Sequence, residues 1–289
     1  TAVMIPPKHI EEEGFEAKSL TYPIFERVVD DLAQSILPDY EGFMMVGGKP
    51  TIPGSSVKGN VRSRLELSFK PKNGFIRSCL IKAINELIEE PEVGKNGWRH
   101  FRIWYETLNF IRENACDYSE EEVCLTCDLF GTMGLKGIVE FSDFTGENVK
   151  LELVELPFSI KVLAAPPGSS FKGHISFQSL EVSELGLLLY AMGIRDKTTG
   201  KPVLLGKFKY RVMENLRFGV VKYKVERLVL SPFSSILEVN DLKVSPGSIV
   251  TGSMLDTLVR HIVNIAKNRF SDELLDVDEV KAVENLPGN

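Results

Sequence analysis

Apolar residues at Val57, Val61 and Leu65 recur at every fourth position, which puts them on one face of a helix and Lys58 and Arg62 together on a neighbouring face. The heptad that opens this helix, PGSSVKG over Pro53–Gly59, is nearly repeated as PGSSFKG over Pro167–Gly173. After the second copy comes HISFQSL, whose period of two predicts a half-buried strand instead. Apolar residues three and four apart predict helices over Phe75–Leu87 and Trp98–Asn114, separated by the breaker-rich EEPEVGKNG. Strands are predicted over Thr1–Ile5, Ile138–Phe144, Lys150–Glu155 and Phe158–Leu163, and mixed helical character over Phe25–Leu37. Leu185–Met192 reads as an apolar helix closed by Gly193. Phe218–Val225 reads as a strand with Val221, Tyr223 and Val225 on one face and Lys222 and Lys224 on the other. A last helix over Ser253–Ala266 precedes an acidic tail that is expected to fray.

Taken without insertions, the order is strand, helix, strand, strand, helix, strand. This is an α+β chain of ferredoxin-like β-α-β-β-α-β order, the arrangement of RNA-recognition modules. Residues 1–72 and 128–289 are expected to form that core, and 73–127 an inserted helical, zinc-binding lobe. The 289 residues, 43% of them hydrophobic, suffice for such a core. No apolar run approaches the roughly 20 residues of a membrane span, and the start TAVMIPPKHIEEEG lacks the order of a signal peptide, so the cytoplasm is the expected compartment. A net charge of -6 argues against indiscriminate nucleic-acid binding but leaves room for a local basic groove.

Three sets of residues carry candidate chemistry. At the first heptad, Pro53 and Gly54 make a tight turn, Ser55 or Ser56 caps the helix, and the remaining free N–H groups present an anion site beside Lys58 and Arg62. It is not a nucleotide P-loop, because Gly59 is followed by Asn60 and Val61 where that motif needs Lys and Ser or Thr. In CDYSEEEVCLTC, Cys124 and Cys127 form a metal knuckle with Cys116 close enough for a third thiolate. His100 or Cys79 supplies the fourth ligand; His100 is preferred because its helix leads straight into the cysteines and so closes the shorter loop. The third set is GKPVLLGKFKYRVMENLRFGVVKYK, where Lys207, Lys209 and Arg211 interleave with Phe208 and Tyr210 behind Gly206. Charge for phosphates and rings for stacked bases are the ingredients of single-stranded RNA binding.

IPGSSVKGNVRSRLE, the CxxC followed by LFGTMGLKGIVEFSD, PGSSFKGHISF, and LGLLLYAMG leading to LLGKFKYRV together resemble the RAMP superfamily of CRISPR-associated proteins, and most closely a backbone-type subunit of a type III effector complex. The resemblance implies a modified RNA-recognition fold that grips CRISPR RNA by its backbone, beside other RAMP subunits and target RNA, with Ser55, Ser56, Lys58, Arg62, Lys207, Lys209 and Arg211 on the RNA. It also implies an alternative, metal-dependent cleavage of target RNA in the assembled complex through Asp39, with Mg²⁺ at the carboxylate. A metal-free endoribonuclease built on His9 or His174 lacks an acid–base partner in the sequence. A zinc-stabilised protein-interaction module without an RNA role is the remaining reading.

Overall fold

The structure is a computed structural model that describes residues 40–73, 76–80, 89–108, 115–119, 122–213 and 216–286. The strand expected over Thr1–Ile5, the helical stretch Phe25–Leu37, Asp39 and His9 lie outside the described residues. The described chain is mixed α/β with antiparallel ladders, and it divides into two compact units.

One unit holds residues 40–52 and 145–172. Its four-stranded sheet begins with Met45–Val46 turning directly into Lys49–Ile52. Gly47 and Gly48 both have positive φ, the two-residue turn that matches the natural twist of a hairpin. The two strands expected over 150–163 pair with each other as Glu152–Leu156 and Ile160–Ala164. Pro157–Ser159 turns between them, with Ser159 at positive φ.

The other unit holds residues 53–144 and 173–286 of the described chain. Helix α1 (Gly54–Leu67) buries Val57, Val61 and Leu65 as its periodicity predicts. Val139–Phe141 pairs antiparallel with Ile175–Phe177, the two strands expected on either side of the second heptad. Helix α2 (Trp98–Ile103) stops at Trp104, α3 (Tyr105–Leu108) follows at once, and α4 (Leu125–Phe130) carries the CxxC. The single helix expected from Trp98 is therefore broken; of the helix expected over Phe75–Leu87, residues 76–80 are not helical and the rest lie outside the described residues. Helix α5 (Val182–Ala191) opens with a capping box in which Glu184 accepts from the Glu181 N–H, and Gly193 follows at positive φ.

Helix α6 (Gly252–Arg269) turns the stripe Leu255, Leu258, Val259, Ile262, Val263 and Ala266 inward onto α5. A Cβ added at Gly186 of α5 would lie 2.5 Å from the Ile262 carbonyl oxygen and 2.6 Å from Ala266 Cβ, so the two backbones approach as closely as they do only because that residue is glycine. No helix among the described residues is long and apolar enough to cross a membrane.

The tail after α6 is not frayed. Tyr190 donates to the Leu275 carbonyl, and Arg195 and Lys201 both pair with Asp276. Burial alone would raise the Asp276 carboxyl, but the hydrogen bonds and charges of Arg195 and Lys201 carry it down to about 2. Helix α7 (Glu279–Glu284) then packs Val283 and Leu286 into a core shared by Leu67 of α1, Trp98, Phe101, Trp104 and Leu108 of the α2–α3 segment, and Leu204. Glu279 is 2% exposed; it pairs with Arg64 of α1 and accepts from the Leu204 N–H at 2.6 Å. Arg64 also donates to the Ala191 carbonyl at 2.8 Å. An acidic sequence reads as solvated, but here one carboxylate is neutralised inside and the apolar residues behind it are drawn in.

Removing one partner of a buried pair strands the other, so Glu279→Ala is expected to cost about 3–5 kcal/mol of unfolding free energy in denaturant titration. A loss below about 1 kcal/mol would show that the pair does not hold α7. Asp276 also gives stability a pH dependence. Its folded value lies below the ordinary carboxylate value near 3.9, so its contribution is complete above about pH 4 and is lost as the pH falls toward about 2. Asp276→Asn should flatten the acid limb of the stability curve in that window.

Candidate metal cluster and basic strap

Asp143 takes the first N–H at the amino end of α1. Pro53 is the N-cap and its side chain makes no capping bond, while the Gly54 N–H donates to Asp143 Oδ1 at 2.8 Å. A Cβ on Gly54 would fall 2.3 Å from the Phe141 carbonyl oxygen and 2.6 Å from that of Ser142, so only glycine admits this approach. Ser55 and Ser56 lie inside the first turn with exposed side chains, and neither caps the helix. The expected serine cap is not made: a carboxylate from a segment 89 residues away takes the Gly54 N–H and brings a negative charge to the helix end.

Arg62, too, makes its contacts within the protein. Its Nε donates to Glu66 Oε1 at 2.9 Å, its Nη1 to the Gly131 carbonyl at 2.6 Å and its Nη2 to Cys127 Sγ at 3.4 Å. The guanidinium fork is used inside the protein. Lys58 is half-buried, and burial first, then the charges of Arg62 and Lys136, lower its affinity for a proton against the opposing pull of Glu140. Two positions further along α1, about 200° round the helix, the side chains face elsewhere. Asn60 donates to the Leu204 carbonyl at 2.8 Å and accepts from the Tyr223 hydroxyl at 3.1 Å. The face carrying Lys58 and Arg62 is therefore turned away from the strand that leads to Lys207–Arg211, and the structure does not bring the two basic sets together.

Sγ atoms of Cys79, Cys116, Cys124 and Cys127 all lie within 4.8 Å of one another, Cys79 and Cys127 at 3.5 Å. Cys124 caps α4 and Cys127 sits in its first turn, while the Cys124 N–H donates to Cys116 Sγ at 3.2 Å. Cys79 arrives on the 76–80 segment, which Ser78 ties to the end of α1 through the Glu66 carbonyl at 3.0 Å. Thiol hydrogen bonds from Cys127 and Cys79 pull Cys124 down, and the same contacts push Cys79 and Cys127 up. The donor set fits a tetrahedral ion, for which Zn–S bonds of about 2.3 Å imply sulfur–sulfur edges of about 3.8 Å.

His100 is not part of this cluster. Its Nδ1 lies 3.3 Å from the Tyr210 hydroxyl, which also accepts from Trp104 Nε1 at 3.2 Å. Burial, helped by the charge of Lys209, pushes His100 down to about 4. The short loop between α2 and the cysteines favoured His100 in sequence, but α2 aims it at Tyr210 and the 76–80 segment delivers Cys79 instead.

The Tyr210 contacts seat a basic strap on α2. Val203–Leu204 leads into exposed Gly206, whose φ of +100° and empty surroundings leave its backbone open. Lys207 and Arg211 are exposed. Lys209 is half-buried, 4.9 Å over the Tyr210 ring, and burial lowers its affinity for a proton. Phe208 is partly covered and meets Phe218 edge-on at 6.0 Å. Lys222 and Lys224 are the wet face of their segment, with Tyr223 buried between them.

Sequence reasoning missed Arg99. Its guanidinium stacks 4.6 Å over the Trp98 ring, its Nε is buried without a hydrogen-bond partner, and its charge is disfavoured by burial and then by Arg211. Arg102, on the same short helix, pairs with Glu90, whereas no carboxylate is paired with Arg99 or Arg211 among the described residues. The signal lay in WRHFRIW, where two arginines alternate with rings. His174 is exposed, with its backbone N–H donating to Ser142 Oγ at 2.8 Å.

A search of curated proteins finds no match to this chain. A family model, that of the RAMP superfamily, matches residues 45–197, more than half of the 289 residues. That span takes in α1, the four cysteines, both heptads and α5, and the family points to a CRISPR-associated, RNA-binding role. The chain belongs to the RAMP superfamily of CRISPR-associated proteins.

Proposed function

We infer that this protein is a structural subunit of a type III-like CRISPR ribonucleoprotein that grips CRISPR RNA by its backbone beside other RAMP subunits. The observation that carries the reading is the Gly206–Arg211 strap, which exposes Arg211 near Arg99, neither of them paired with a carboxylate among the described residues, while its Tyr210 is anchored by Trp104. Backbone phosphates need cations that the protein has not already neutralised, and among the described residues Arg99 and Arg211 have no carboxylate partner. Lys58, beside exposed Lys136, offers a second and separate contact. A helix, two antiparallel strands and a helix in chain order support the ferredoxin-like reading of the core.

The four cysteines support a structural zinc site in the stretch 73–127. Zinc would be held by Cys79, Cys116, Cys124 and Cys127 and would contribute folding energy there. No water-activating carboxylate or imidazole lies among those four ligand atoms.

Three outcomes test these readings. Single-stranded RNA affinity should fall with salt at a log–log slope of about -0.7 per phosphate contact, and Lys207→Ala, Arg211→Ala and Arg99→Ala should each reduce both affinity and slope. Affinity that is independent of salt would favour an interaction module. Metal analysis should find zinc that Cys79→Ser removes and His100→Ala leaves in place; the reverse pattern would restore the imidazole ligand. Because protons compete with the metal for thiolates, zinc should bind less tightly as the pH falls and should release protons on loading.

A further inference from the structure

We propose that Arg62 is the positioning residue of the metal cluster, holding Cys127 and offsetting the charge of the thiolates, rather than a phosphate contact. The inference rests on reading the four cysteines as a metal site. Four thiolates on one divalent ion leave a net charge of about -2, and a partly buried anion of that size needs a nearby cation or hydrogen-bond donors. Arg62 supplies an N–H donor to Cys127 Sγ and shares its charge between that sulfur and Glu66. Its side chain is 12% exposed, and its three donor directions are fixed by Glu66, by the Gly131 carbonyl and by Cys127 Sγ.

Each of those partners has a job in the arrangement. Glu66 lies one turn along α1, so the pair locks the fork relative to the helix. Gly131 is the residue directly after α4, and its own N–H donates to the Cys127 carbonyl. Arg62 therefore holds the first turn and the C-cap of the short helix that carries the CxxC. A Cβ on Gly131 would lie 2.7 Å from the Gly137 nitrogen, which keeps that turn closed and its carbonyl in place. A lysine would keep the charge but has no planar fork with which to hold three acceptors at once.

Once this side chain is committed to sulfur, α1 and the metal knuckle become one mechanical unit. Metal loading would then set the position of Lys58, one turn before Arg62, without metal and RNA ever touching.

The test compares the full-length chain with Arg62→Ala, Arg62→Lys and Glu66→Gln. Zinc affinity is measured by competition with a chromophoric chelator, and the thiolate-to-metal absorption is measured on cobalt(II)-loaded protein. Arg62→Ala is expected to weaken zinc at least 10-fold and to shift the cobalt band. Arg62→Lys should recover part of the affinity, and Glu66→Gln, which leaves the arginine but loosens its anchor, should fall between wild type and Arg62→Ala. If Arg62→Ala fails to fold, the other two variants decide by the same readouts. Unchanged zinc affinity and an unchanged cobalt spectrum would overturn the role of Arg62, as would a loss confined to RNA affinity and salt slope. A wild-type chain that takes up neither metal would remove the metal site itself, a separate failure.

Discussion

Two arginines on one helix, turned inward, organise the larger unit of this protein. Arg64 reaches Glu279 and the Ala191 carbonyl, and Arg62 reaches Glu66, Gly131 and Cys127. Because they sit two positions apart, they point to different sides of α1 and tie it to α7 on one side and to the cysteine knuckle on the other. Burying a guanidinium is costly unless its donors are met, and each of these two is met by carboxylate and carbonyl oxygens, with a sulfur added at Arg62. The constraint this imposes is functional: the cations that make α1 look like a phosphate cradle are largely spent inside.

Much of the scaffold was legible because local pattern and tertiary environment agree. The phase of α1, the Val139–Phe141 and Ile175–Phe177 strands, the glycine stop after α5 and the stripe of α6 all follow from periodicity and from backbone chemistry close by in sequence. The CxxC pair could be read for the same reason, since its spacing is local.

What escaped the sequence depends on contacts between distant segments. Asp143, which takes the Gly54 N–H, lies 89 residues from it, and a Ser-Ser pair beside a Pro-Gly turn reads as a sufficient cap. Cys79 joins the other thiols because Ser78 is tied to the end of α1, which no spacing rule reveals, so the nearer His100 looked better. Helix α7 is short and lies among acidic neighbours, so Val280, Ala282 and Val283 give no clear periodic signal, and Glu279 pairs with Arg64 of α1. Charged positions on an amphipathic helix read as solvated by default, and the pattern cannot distinguish an arginine that faces water from one that faces a carboxylate.

With Arg62 and Arg64 turned inward, Arg211 of the strap and Arg99 of α2 are left without a carboxylate partner among the described residues, and Tyr210, Trp104 and Trp98 supply an aromatic base beside them. The account therefore places RNA on that surface. The most direct measurement is ultraviolet crosslinking of the protein to a short uridine-rich single strand, with the attached peptides identified by mass spectrometry. The account predicts adducts in the peptides carrying Gly206–Arg211 and Trp98–Ile103; adducts confined to Ser55–Gly59, with those peptides silent, would contradict it.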